Sequence, residues 1–463
     1  MKNMMINKRN IIGVLAMTLI LASCNIYKPY KTPEVNTDVY RTDQPADTVN
    51  MALRPWQELF TDPALRSLID SALTNNFDYR TVMLKVTEAN AAFSQSRASF
   101  FPTLNLSAQE NISTIQDMHH TEDYNLSANA SWEIDIFGRL RSAKRAAKAA
   151  LYQSIAYKRA VETQMVSSVA SGYYTLLSLD KQLQISEQTL VIWEETVNTM
   201  KALKETGGVN EAAVVQSQAN YYSVKASIED LRYNIRASEN ALRLLIGKPA
   251  GEITRGSFDD QKLDVDLQIG IPSQLLANRP DVQQAEAGVR YAFAKTNVAR
   301  AAFYPKFTIT ATGGYANGVT VGNTPRFFGN FVGGLLQPIF NAGVNRANLR
   351  IAKAQQEQAL LAFEKSLVTA GIEVSNTLYN YSTTASKLEA RKQQVDALLK
   401  SSDYTNELLI AGEATYLEVL TAQQSLLSAQ LSYINDQLSQ LNNVVNLYHA
   451  LGGGWERPAE DKK

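Results

Sequence analysis

The chain has 463 residues, with 45 Lys+Arg against 45 Asp+Glu, so its formal net charge is zero. That balance excludes the basic field that general nucleic-acid binding needs. Charged residues are only 19% of the chain, while Ala, Ser, Gln, Asn and Thr are plentiful, which is not the profile of an acidic disordered polypeptide.

Residues 1–23 read as a signal peptide. Lys2, Lys8 and Arg9 form its positive end, and Ile11 to Ala22 is an apolar stretch too short for a comfortable membrane span. It ends in Leu21-Ala22-Ser23-Cys24, which resembles a bacterial lipobox. Cys24 would then carry diacylglycerol and an N-acyl chain, and those chains would hold the N-terminus at a bilayer. Asn25, where an Asp is associated with retention at the inner membrane, favours the outer membrane. Cys24 is the only cysteine, so no intrachain disulfide is possible. Residues 24–60 contain Pro29, Pro33, Pro45 and Pro55 and read as a lipid-anchored tether running over the surface.

A short helix is expected over Pro63 to Leu73 and a longer one over Asp78 to Ser99. The period then changes to two. Leu104, Leu106 and Ala108 alternate with Asn105, Ser107 and Gln109; Tyr124, Leu126, Ala128, Ala130, Trp132, Ile134 and Ile136 alternate with Asn125, Ser127, Asn129, Ser131, Glu133 and Asp135. These are strands with one apolar and one wet face, at about 103–113 and 123–136. Each is long enough to cross a bilayer when tilted. A polar connection is expected from Ser113 to Asp123. Its His119-His120 pair is open to two readings, a metal pair in an oligomer or a solvated loop, and the loop is preferred. Phe100, Phe101 and Trp132, with Phe303 and Tyr304 in the second half, are candidates for an interfacial aromatic belt. Arg139, Arg141, Lys144, Arg145 and Lys148 form a basic run, either against phospholipid headgroups or on a solvated helix face.

Arg139 to Glu205 contains no Pro and one Gly, Gly172, and would make a helix roughly 100 Å long. A turn at Gly207-Gly208 leads into a returning helix, Asn210 to Leu245. The pattern then repeats. Arg97-Ala98-Ser99-Phe100-Phe101-Pro102 recurs as Arg300-Ala301-Ala302-Phe303-Tyr304-Pro305, and the 203-residue separation of Pro102 and Pro305 also relates Phe137 to Phe340. Downstream the separation becomes 205, relating Gly207 to Gly412, Gln218 to Gln423 and Gly247 to Gly452. The second half has strands at about 307–316 and 327–337, the latter ambiguous because of Gly329, Gly333 and Gly334, with Asn317 to Arg326 between them. Its long helix spans Val344 to Ala411, with Gly371 as the counterpart break, and its returning helix spans Thr415 to Leu451. Residues 61–260 and 261–455 are thus two structural repeats, followed by a tail at 456–463. Small and polar residues are mixed along the helices, which suits neighbours on two sides and a third, wet face.

Four strands cannot close a barrel, and neither half can close one alone, so other copies must complete it. Two copies would give eight strands with a filled interior; three would give twelve and room for a wet lumen. No P-loop, Gly-x-Ser-x-Gly or Cys/His metal spacing is present, so neither an enzyme nor a metal centre is expected.

The lipobox, the Phe-Phe-Pro and Phe-Tyr-Pro strand starts, Ser131-Trp132-Glu133-Ile134-Asp135-Ile136-Phe137-Gly138-Arg139, Asn278-Arg279-Pro280-Asp281, Pro338-Ile339-Phe340 and Ala411-Gly412-Glu413 together resemble the TolC family of outer-membrane efflux channels, in its OprM-like lipoprotein branch. The resemblance spans nearly all of residues 24–455. It implies a mostly α, trimeric outer-membrane efflux fold: a twelve-stranded transmembrane β-barrel continued by a long periplasmic α-helical barrel. It also implies partners: outer-membrane lipid, a periplasmic membrane-fusion adaptor and an inner-membrane transporter of RND type. Gly207, Gly208, Gly412 and Glu413 become candidates for adaptor docking, although turn chemistry alone also accounts for the glycines. Glu418 matches an acidic position at the family's periplasmic constriction, where three carboxylates would form a cation-attracting ring. A second acid of that pattern would fall at Thr421 and is missing, and a first-turn Glu is also favoured by the helix dipole alone. The expected role is a passive exit duct for drugs, dyes or bile-like amphiphiles. The rival is a non-spanning coiled-coil structural lipoprotein.

Overall fold

The computed structural model describes residues 29–33, 51–115, 118–261, 278–317 and 326–455, with the side chains of 113–123 excluded. Cys24, the signal peptide, most of the tether and the tail lie outside the described residues. The helices are α1 (Trp56–Leu59), α2 (Pro63–Asn75), α3 (Phe77–Ala98), α4 (Arg139–Glu205), α5 (Glu211–Leu245), α6 (Pro280–Ala301), α7 (Val344–Ile410) and α8 (Tyr416–Ala450). The strands are β1 (Thr103–Ile115), β2 (Met118–Ile134), β3 (Lys306–Ala316) and β4 (Arg326–Leu336). They form one antiparallel sheet in the order β1-β2-β3-β4.

The duplication is preserved to the residue in the helices. α4 and α7 each have 67 residues, α5 and α8 each have 35, and α3 and α6 each have 22. The two extra residues of the second half fall between Phe340 and Val344, where Ala342 and Gly343 take φ of 51° and 81°. Neither Gly172 nor Gly371 breaks its long helix, contrary to expectation. A lone helical glycine costs about 1 kcal/mol, which tertiary packing outweighs; Gly172 sits against the Leu242 side chain, whose methyl would lie 2.9 Å from an added Cβ.

The chain forms two compact units, and each draws on both repeats. One comprises the described residues of 1–35, 85–155 and 284–365 and contains the sheet; the other comprises those of 36–84, 156–283 and 366–463. The second unit has a core of Leu65, Ile69, Tyr173, Leu177, Val445 and Leu447, all fully buried. The last part of the expected tether belongs to this core. Met51, Ala52, Trp56 and Phe60 are buried, and Phe60 meets the Tyr448 ring edge-on at 6.3 Å. Their large apolar surface outweighs the extended bias of Pro55.

Within this unit the two repeats dock their returning helices in the same way. The left-handed Gly247 (φ 66°) presses on the Asn75 carbonyl, and Gly452 (φ 85°) presses on the Asn278 carbonyl; a Cβ at either would lie 2.5 Å from that oxygen. Beside them, Asn76 Nδ2 donates to the Leu245 carbonyl and Arg279 Nη1 donates to the Ala450 carbonyl, both at 2.9 Å. Each satisfies a carbonyl that the helix end leaves unpaired. Arg279 also binds Asp281 through Nε and Nη2 at 3.0 and 2.6 Å, and Glu373 at 2.7 Å. Burial alone would raise the Asp281 carboxyl, but Arg279 holds it below its ordinary value. Burial, then the charge of Arg279, lowers the neighbouring His449.

Two outcomes are expected. Gly412→Ala forces a left-handed alanine into open space and should cost about 1 kcal/mol; Gly452→Ala adds a backbone clash and should cost several-fold more, read as the shift in denaturation midpoint. Stability should also fall on acidification. Unfolded His449 takes up a proton below its ordinary pKa of 6.5 while the folded side chain resists, and Asp281 acts with the same sign below 3.8. Denaturation midpoints from about pH 7.5 to about pH 5 should drop for the wild type and drop less for His449→Gln; a level wild-type profile would contradict this.

Candidate functional site

The register gives the sheet two chemically distinct faces. On one, Leu106, Ala128, Gly313 and Gly329 form a row, flanked by the rows Leu104-Ala130-Ala311-Phe331 and Ala108-Leu126-Tyr315-Phe327. This face is open, with Leu106 77% and Phe331 73% exposed. Contiguous exposed leucine and phenylalanine mark a surface made for an apolar medium. The other face carries the row Asn105-Asn129-Thr312-Asn330. Thr312 Oγ1 donates to Asn129 Oδ1 at 2.7 Å, and the Ser107 and Ser127 hydroxyls pair at 3.0 Å. β4 thereby gains an assignment that its alternation did not give: Phe327, Phe331 and Leu335 share the apolar face. Phe328 and Val332 fall on the polar face.

The described residues of the polar connection expected over Ser113–Asp123 are instead strand. Pairing continues through Ile112↔Glu122 and Ser113↔Thr121 to Ile115↔Met118, with an irregularity between Ser113 and Ile115. Backbone pairing does not require apolar side chains, so a hairpin can run on beyond the apolar band. The side chains of His119 and His120 lie outside the described set. β2 stops at Ile134 rather than Ile136 because Asp135 caps α4: its carboxylate accepts the amides of Leu140 and Arg141 at 2.9 and 2.8 Å.

Where strands meet helices, the aromatic candidates gather. Trp132 Nε1 donates to the Phe100 carbonyl at 2.9 Å. Tyr304 stacks on Phe137 at 5.2 Å; Phe101 is exposed and Phe303 partly so. The basic run divides. Arg139 makes a two-pronged pair with Glu133 at 2.7 and 2.6 Å, Arg141 pairs with Asp135 at 3.2 Å, and Lys144 lies over the Phe100 ring. Arg145 and Lys148 have no carboxylate partner among the described residues. No helix among them is long and apolar enough to cross a membrane. No group of three or more His, Cys, Asp or Glu is placed there to hold a metal.

The other unit holds both helical tips. Gly207 (φ 80°) and Gly412 (φ 79°) end the long helices identically. Gly208 N donates to the Leu203 carbonyl and Glu413 N to the Leu408 carbonyl, both at 2.8 Å, closing a Schellman turn in each. The tips are exposed. Behind them Met200, Ala213, Val214, Leu409 and Val419 form one buried cluster joining the two hairpins. The first returning helix is capped by Asn210, whose side chain accepts the Ala213 amide at 3.1 Å. In the second, Glu418 reaches back: its Oε2 accepts the Thr415 amide at 2.7 Å and the Thr415 hydroxyl at 3.0 Å. Glu418 is exposed and serves as a helix cap.

The sequence model described as "Outer membrane efflux protein" matches residues 68–248 and 271–453, one stretch in each repeat. The chain is 33% identical over 407 residues to the probable outer membrane lipoprotein SilC of Salmonella typhimurium, covering 86% of this chain and 88% of that protein. It is 30% identical over 451 residues to the cation efflux system protein CusC of Escherichia coli, covering 95% and 98%. The fold matches the open-state MtrE outer membrane channel of Neisseria gonorrhoeae with a TM-score of 0.83 at 27% identity, covering 92% of this chain and 98% of that one.

Gly314 is a position that alternation did not single out. A Cβ there would lie 2.7 Å from Ser127 Cα and overlap the Leu126 carbonyl, whereas one at Gly313 would find its nearest atom at 3.8 Å and one at Gly333 would find open space. Gly314→Ala should therefore disrupt β2–β3 pairing and reduce assembled protein in membrane fractions severely; Gly313→Ala and Gly333→Ala should assemble normally, as read by heat-modifiable mobility on gels.

Proposed function

We infer, from the premise that this chain belongs to the outer membrane efflux protein family, that it is the outer-membrane channel of a tripartite efflux system. It is a passive exit duct with no chemistry of its own. The observation that carries this reading is the four-stranded sheet, apolar on one face, polar on the other and, among the described residues, open at both edges. In hydrocarbon each unpaired backbone group costs several kcal/mol. Identical copies must therefore complete the sheet; three supply twelve strands and a lumen lined by Asn105, Asn129, Thr312 and Asn330.

The helices support the same conclusion. Tyr174 in α4 and Tyr379 in α7 are equivalent in the two repeats, yet Tyr174 is 1% exposed and Tyr379 is 73% exposed. The second repeat has the residues of a packed helix without its cover in a single chain, and a neighbouring copy supplies it. A non-spanning coiled-coil lipoprotein would leave the exposed leucine and phenylalanine face in water, where it has no use.

The remaining assignments are proposals resting on family resemblance and position. Acyl chains on Cys24 anchor the N-terminus in the outer membrane. A periplasmic membrane-fusion adaptor docks at Gly207, Gly208, Gly412 and Glu413, and an RND-type transporter in the inner membrane drives the system. Opening separates the tips, which requires the apolar cluster behind them to rearrange. The neutral Asn, Ser and Thr face discriminates little, so partners select the cargo, and drugs or other amphiphiles are proposed. Glu418 remains the candidate for a constriction ring, with one carboxylate serving both cap and charge.

Reconstituted in planar bilayers, the purified protein should conduct, and Glu418→Gln should reduce its cation preference. Glu418→Ala should lose the same preference and about 1 kcal/mol of helix stability. Unchanged selectivity in both variants would remove Glu418 from the constriction. A mature protein that is monomeric and soluble without detergent would end the channel reading.

A further inference from the structure

Residues 29–33 lie on α6 in the same unit as the sheet. The Tyr30 ring meets Phe293 edge-on at 5.6 Å and the Arg290 guanidinium at 5.4 Å, and Thr32 Oγ1 donates to Glu286 Oε1 at 2.9 Å. Beside Tyr30 is an open cavity of about 300 Å³ lined by Arg145, Lys148, Arg290, Tyr30, Tyr152 and Phe293, among others. Three of these side chains are cationic. Among the described residues, only Arg290 is matched by a carboxylate, Glu286 at 2.7 Å. Lys148 lies over the Tyr152 ring at 5.3 Å. The Tyr30 hydroxyl and Arg290 Nε are buried, and the Tyr30 and Arg290 side chains interact with each other beside Glu286. A cavity lined by three cations, one carboxylate-paired, and two phenols is suited to an anion. Phe293 and Pro29 give it an apolar wall.

Its position narrows the anion. Arg145 and Lys148 lie six and nine residues into α4, roughly 9 and 14 Å from the helix start beside the sheet. Long side chains there reach the headgroup layer below a bilayer core. Pro29 is five residues from Cys24, where the lipid anchor is proposed. We propose that this cavity binds the phosphate of an anionic phospholipid from the leaflet facing the periplasm, clamping the N-terminal segment to α4 and α6. The proposal rests on the outer-membrane reading above. The same phosphodiester chemistry is offered by soluble phosphates, so the test separates the two sources.

The full-length protein, purified in detergent, would be titrated with phosphatidylglycerol and with phosphatidylcholine and read by native mass spectrometry. Phosphatidylglycerol should bind about thirtyfold more tightly, the scale expected for two surface cations. The Arg145→Ala/Lys148→Ala double variant should lose that preference, and Arg145→Lys/Lys148→Arg should keep it. Equal binding of the two lipids, or a preference that survives the double alanine variant, would overturn the proposal. Displacement of the lipid by inorganic phosphate at matching concentration would overturn the lipid source in favour of a soluble anion. Bilayer conductance of the same samples is scored separately: a sample that binds the anionic lipid but does not conduct would count against the duct and leave this site standing.

Discussion

Backbone hydrogen bonding at the two edges of one small sheet governs the rest of this molecule. Water satisfies an open strand edge at no cost; hydrocarbon does not. β1 and β4 each present an open edge while the face they share with β2 and β3 is leucine, phenylalanine and alanine. A single chain can therefore be comfortable in neither medium. Closure by identical copies resolves both demands at once, and a wet interior follows from the other face. At the strand–helix junction the aromatic residues gather beside the paired charges of Glu133–Arg139 and Asp135–Arg141.

The duplicated helices show how a symmetric origin becomes an asymmetric part. The Gly-to-carbonyl contacts of Gly247 and Gly452 and the terminal-carbonyl bonds of Asn76 and Arg279 hold equivalent places. In the second repeat an arginine replaces the amide and recruits two carboxylates, Asp281 and Glu373, around a nearly buried guanidinium. Leaving such a charge unpaired would cost several kcal/mol, so the three side chains stand or fall together. The tips diverge in the same manner: Asn210 caps one returning helix, and the Thr415–Glu418 pair caps the other. An acid at position 418 thus has a local reason to exist whatever it does in the assembled channel.

Much of the architecture could be read directly. β2 alternates cleanly, so its faces follow from the period of two alone. The absence of proline from 139–205 announced a long helix, though not that it passes Gly172 without a break, and the paired glycines announced its end. The place of β4 could be read but not its faces, because glycines at 329, 333 and 334 contribute nothing to either; pairing with β3 decides them. Gly314 looks like any strand glycine until the backbone of Leu126 and Ser127 is placed against it. The burial of Met51 and Trp56 was hidden by neighbouring prolines. The basic run resembled one patch in sequence, yet Arg139 and Arg141 are paired within it while Arg145 and Lys148 line a cavity with Arg290 from another helix.

Sequence alone determined the repeat, the strand and helix periods, the turn glycines and the insufficiency of four strands, because each depends on spacing along one chain. Tertiary structure decided which glycines are obligatory, which charges are already matched, what caps each tip and which of two equivalent tyrosines lacks cover. Those outcomes depend on atoms brought together from residues a hundred or more positions apart, and no local pattern encodes that proximity.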